Sequence, residues 1–88
     1  MLASGATTAT VLGMNDIQNA RTKDVLVQDN GNIIVRGDNG RVHVLSPDGA
    51  CHITTLTRTD ANVKSLIEQG RYTYATEEQA QAVIEMYK

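Results

Sequence analysis

Residues 27–53 read VQDNGNIIVRGDNGRVHVLSPDGACHI, and Gly31, Gly40 and Gly49 recur in this stretch at intervals of nine, each behind Asn or Asp. Asn-Gly between alternating apolar residues is a strong hairpin signal, because a type I′ turn needs positive φ at both central positions and twists in the same sense as its strands. The triplet DNG stands at 29–31 and again at 38–40. SPDG at 46–49 supplies a third turn, in which Pro47 presets φ and Gly49 takes the left-handed conformation. The pattern predicts four strands, at about 24–28, 32–36, 41–45 and 50–57, joined as an antiparallel meander.

Two central residues in each turn place Val27 across from Ile34, Val35 across from Val44, and Val44 across from Ile53. One face then carries Leu26, Ile33, Val35, Val42, Val44, Cys51 and Ile53, an apolar set suited to the core. The other carries Val25, Val27, Ile34, Arg36, Arg41, His43, Leu45, His52, Thr54 and Leu56, too apolar for plain solvent exposure. Pro-Asp-Gly also favours a type I turn with a glycine bulge, which would shift the last strand by one residue; the unshifted register keeps Cys51 and Ile53 with Val42 and Val44.

Downstream the apolar period changes from two to that of a helix. TDANVKSLIEQG starts at Thr59 or Asp60 as N-cap and stops at Gly70, with Val63, Leu66 and Ile67 on one side. RYTYA, 71–75, reads as a fifth strand. Thr76 as N-cap, with Gln79 three residues on and Glu77 and Glu78 in the first turn, opens a second helix whose stripe is Ala80, Val83, Ile84 and Tyr87. Upstream, residues 1–22 are rich in Ala, Thr, Gly, Ser and Asn, a poor helix and a poor strand, and read as an extended or disordered N-terminal arm. The expectation is an α+β fold: a four-stranded antiparallel β-meander, then helix, short strand and C-terminal helix, with the arm at 1–22 and one small domain at 23–88.

Composition narrows the function. A chain of 88 residues buries only about 60 to 65 % of the surface its unfolded form exposes, so a partner would add to a thin stability margin. Tyr72, Tyr74 and Tyr87 are the only aromatic rings beside the histidines, which makes the core aliphatic. Net charge is -2, a poor match for nucleic acid, and Arg36, Arg41, Arg58 and Arg71 lack the aromatic platform on which RNA-binding sheets stack bases. The lone Cys51 excludes a disulfide framework within one chain. Residues 1–14 lack the basic and apolar regions of a signal peptide, and no stretch approaches the ~20 apolar residues that span a bilayer. A soluble protein of the cytoplasm or of a virion, not exported by a signal peptide, is the expectation.

Catalytic constellations fare poorly. Cys51 and His52 are strand neighbours and point to opposite faces, so thiol and imidazole cannot meet. His43 and His52 share a face on adjacent strands, but two ligands do not make a metal site. Asp29, Asp38 and Asp48 have a sufficient role in turn formation without calcium, and each glycine leads from strand to strand, unlike a phosphate-binding loop. No cofactor, metal or catalytic residue is assigned. The reading is a non-enzymatic assembly or interaction protein, of the style of virion decoration, cement or tail-accessory subunits by architecture alone. It would dock on neighbouring protein through Val11, Leu12 and Ile17 of the arm and through Val27, Ile34 and Leu45 on the second sheet face, rimmed by Arg36, Arg41 and His43. A small monomeric regulator of one partner is the alternative, and an RNA-binding module the next.

Overall fold

The structure, a computed structural model, describes residues 8–88, with side chains from Gly13 onward. Helix α1 (Thr8–Gln18) leads through a short 3₁₀ turn into strands β1 (Val25–Gln28), β2 (Ile33–Arg36), β3 (Arg41–Leu45) and β4 (His52–Thr57). Helix α2 (Asp60–Glu68), strand β5 (Tyr72–Tyr74) and helix α3 (Glu77–Met86) complete the chain. The five strands form one antiparallel sheet in the order β4-β3-β2-β1-β5. The α+β fold with its four-strand meander is therefore as the sequence predicts.

The hairpins differ from expectation by one residue. Gln28 N–H donates to Asn32 O at 2.8 Å, leaving Asp29, Asn30 and Gly31 as a three-residue loop, with Gly31 at φ 96°. Gly37 N–H likewise donates to Arg41 O at 2.8 Å across Asp38, Asn39 and Gly40, where Asn39 and Gly40 sit at φ 58° and 79°. A third loop residue reverses the parity of the pairing, since strand side chains alternate with a period of two. Val27 thus faces Ile33, Val35 faces His43, and Ile34 faces Val44. Beyond Pro47 the unshifted register holds at Leu45 with His52, but the pairing slips by one before Val44 meets Thr54, so Ile53 is the extra residue of a bulge. Ile53 is 53 % exposed and Cys51 is exposed, so neither belongs to the core face expected of them.

Corrected for parity, the two sheet faces are both apolar and both covered from within the chain. Val25, Ile33, Val35 and Leu45 pack with Ile17 of α1 and with Ala80, Val83 and Ile84 of α3. Leu26, Ile34, Val42 and Val44 pack with Val63 of α2 and with Tyr72, flanked by Leu66 and Ile67. The crossover from β4 at one edge to β5 at the other must pass over one face, and α2 is that crossover; α3 then returns to the opposite face. Sheet-face docking through Val27, Ile34 and Leu45 is overturned by this arrangement, because Ile34 and Leu45 are fully buried in different layers and Val27 packs beside Leu45.

The N-terminal arm is also corrected: Thr8–Gln18 is helical, and Ile17 is fully buried. Weak local propensity is overridden here by tertiary packing, the usual source of helical stability in proteins. The side chains of Val11 and Leu12 lie outside the described residues. Both later helices start as read: Thr59 accepts from Asn62 N–H and Thr76 from Gln79 N–H, each at 3.1 Å.

Candidate functional site

The least ordinary feature of the core is polar. Asp16, one residue before the buried Ile17, turns from α1 toward β3, and the absence of a side chain at Gly37 makes the space: a Cβ there would stand 2.2 Å from Asp16 Oδ2. The carboxylate accepts from Arg41 Nε at 2.8 Å and from Arg41 Nη2 at 3.0 Å, a bidentate fork. It also meets Nε2 of His43, a fully buried ring, at 2.6 Å. On its other side His43 Nδ1 lies 2.8 Å from Thr55 Oγ1, which is 2.9 Å from Nε2 of His52. Gly13 of α1 faces the group: a Cβ added there would stand 3.5 Å from both imidazoles.

Hydrogen counting sets the direction of this relay. The Arg41 guanidinium beside Asp16 holds its carboxyl below the ordinary carboxylate range, against the opposing effect of burial and with help from His43. An ionised carboxylate only accepts, so Nε2 of a neutral His43 carries the proton and Nδ1 accepts. Thr55 has one hydroxyl hydrogen, which it donates to His43 Nδ1, leaving its lone pairs to accept from His52 Nε2–H. With both rings neutral the chain runs His52 to Thr55 to His43 to Asp16, and none of its buried side-chain nitrogen or oxygen atoms lacks a partner. Burial, and then the neighbouring His43, push His52 below the ordinary histidine range.

Asp, His and a hydroxyl in that order resemble a nucleophilic triad. Thr55 Oγ1, however, is engaged by two imidazoles, whereas a nucleophile needs an open approach and an oxyanion site. The arrangement satisfies buried polar groups and pins α1 to two strands. Among the described residues no group of three or more His, Cys, Asp or Glu side chains is placed to hold a metal ion.

Cavities flank the relay on both sides of α1. A polar one of about 360 Å³ is lined by Asp16 and Arg41 together with Arg21, Asp24, Arg36 and Asp38. On the other side, a cavity of about 180 Å³ lined by Gly13, Met14, Ile17, Ala50, His52 and Tyr87 adjoins one of about 500 Å³ that shares Met14, Ala50 and Tyr87. The two share these three residues and lie side by side as a cleft between α1, the end of α3 and the 46–51 turn. Its wall is fixed by Tyr87 Oη donating to Gly49 O at 2.7 Å, and its mouth by Met14 and Met86, 36 % and 55 % exposed. Burial raises the Tyr87 phenol above its ordinary range.

Of the residues expected at an interface, Arg41 and His43 come together in the relay, Arg36 pairs instead with Asp60, and Ile17, Ile34 and Leu45 are core. Asp16, Thr55, Met14 and Met86 were not anticipated. The shared face of His43 and His52 was the one available signal, since nothing local to Asn15-Asp16-Ile17 announces that its carboxylate is buried. Comparison with protein-family models, with curated proteins and with solved structures finds no match.

Proposed function

We propose that the chain is a non-enzymatic interaction protein that seats an apolar segment of a partner protein, flanked by basic residues, in the cleft between α1 and α3. The observation that carries this reading is that the two cavities adjoin, sharing Met14, Ala50 and Tyr87, with the exposed Met14 and Met86 lining them. Methionine is unbranched and polarizable, and lines grooves that accept an amphipathic helix. Charge favours basic flanks: the exposed side of α3 carries Glu77, Glu78 and Glu85, against the single Lys88 that lines the cleft and pairs with Glu85. The class of function is that of the sequence reading, an assembly subunit of a virion or of another complex, with its docking surface moved from the sheet face to the helix seam. No helix among the described residues is long and apolar enough to cross a membrane.

A designed helical peptide of leucine and lysine serves as probe. Binding is expected in fluorescence anisotropy, and Met86→Glu, at an exposed site that leaves the fold intact, is expected to weaken it about tenfold, a loss near 1.4 kcal/mol. Unchanged binding by Met86→Glu would remove the cleft from the mechanism. Light scattering separates a self-associating subunit from a monomeric regulator.

A further inference from the structure

We infer that the α1–α3 cleft is proton-gated through His52, open to its apolar occupant when the ring is neutral and closed to it when the ring is charged. This regulation rests on the cleft reading above. The geometry that supports it is the position of His52, which lines the inner cavity with Gly13, Met14, Ile17, Ala50 and Tyr87 and whose ring hydrogen-bonds Thr55 Oγ1.

In the neutral relay His52 Nε2 already donates to Thr55, so an added proton goes to Nδ1 and turns a cleft wall cationic. The groups around the ring do little to compensate. From β3, His43 is 5.8 Å away between ring centroids and already committed to Asp16, and Arg41 adds positive charge beyond it. From α1, the nearest carboxylate is Asp16, engaged by both Arg41 and His43. Tyr87 lines the same cavity as a neutral phenol, and Lys88 at the adjoining one is a cation paired with Glu85. In the turn, Asp48 is held by Ser46 Oγ and Ala50 N–H, and the exposed Cys51 precedes the ring in the chain. A charged His52 would therefore draw water into an apolar cleft and repel the basic flanks of the segment it takes. Burial of the ring, the larger cause, and repulsion from His43 whenever that ring carries charge place the transition below the ordinary histidine value of 6.5.

Two readouts test the gate separately from the docking. In NMR of the full chain labelled at methionine methyls, the Met14 resonance is expected to move with the same midpoint as the His52 ring, and not to move over that range in His52→Gln. A flat Met14 profile, or an inflection that persists in His52→Gln, overturns the gate. Binding of the leucine-lysine peptide is expected to fall about tenfold between about pH 7.5 and about pH 5.5 in the wild type and to stay level in His52→Gln. Equal acid loss in both proteins also overturns it. A Met14 inflection without peptide binding at either pH would sustain the gate and strike out the peptide as occupant.

Discussion

Helices α1 and α3 lie on the same face of the sheet and are held there by opposite means. For α3 the hold is an apolar stripe, Ala80, Val83 and Ile84, behind a threonine cap. For α1, among the described side chains, it is the buried Ile17 and, next to it, a carboxylate that reaches a guanidinium and an imidazole on β3. An apolar stripe tolerates small displacements, since dispersion contacts are many and individually weak. A relay of hydrogen bonds between 2.6 and 3.0 Å does not, because each broken link leaves a buried donor or acceptor unpaired. The difference teaches that a helix without a legible stripe can be placed by its polar residues, provided the partners wait in the core.

The largest effect is expected at the relay. Asp16→Ala leaves His43 Nε2–H and the Arg41 fork without an acceptor, and breaking a buried pair by removing one member costs about 3 to 5 kcal/mol. Urea unfolding followed by circular dichroism measures it; a loss under about 1 kcal/mol would mean that apolar packing and not the relay holds α1. Next comes α3, where Ile84→Ala opens a cavity in the apolar layer and is expected to cost about 2 to 4 kcal/mol by the same measurement, without altering the His43 resonances. A shift of those resonances would erase the contrast between the two helices.

The smallest effects are those of pH, and they sharpen the same comparison. Asp16 holds its proton less tightly when folded than the ordinary 3.8, so its stabilisation is complete above that value and is lost as pH falls below it toward the folded pKa. His52 is likewise depressed, so the unfolded chain takes up its proton first and stability declines as pH falls through about 6.5. Calorimetric melting across this range should show both declines in the wild type, the acid one absent in Asp16→Ala and the milder one absent in His52→Gln. Ile84→Ala should shift the whole curve and preserve its shape.

Local chemistry made much of the fold legible. Three glycine turns announced the meander, and two threonine caps with apolar stripes announced α2 and α3, because each signal acts over a few residues. The site was less accessible. His43 and His52 were readable as neighbours on one face in the unshifted register, the one that holds where Leu45 pairs with His52. Asp16 and Thr55 were not readable, since their partners are 27 and 12 residues away in the chain and no periodicity encodes that distance.

Composition and turn residues by themselves determined an aliphatic α+β domain with four hairpin-linked strands and two capped helices. Only the tertiary structure decided which side chains share a face, because one additional residue in each of two loops reverses the parity of everything beyond it. It also decided that α1 exists and that both faces are covered from within the chain. Those outcomes depend on free energy gained across the fold, from burying Ile17 and from satisfying Asp16 on His43 and Arg41, which no local window contains.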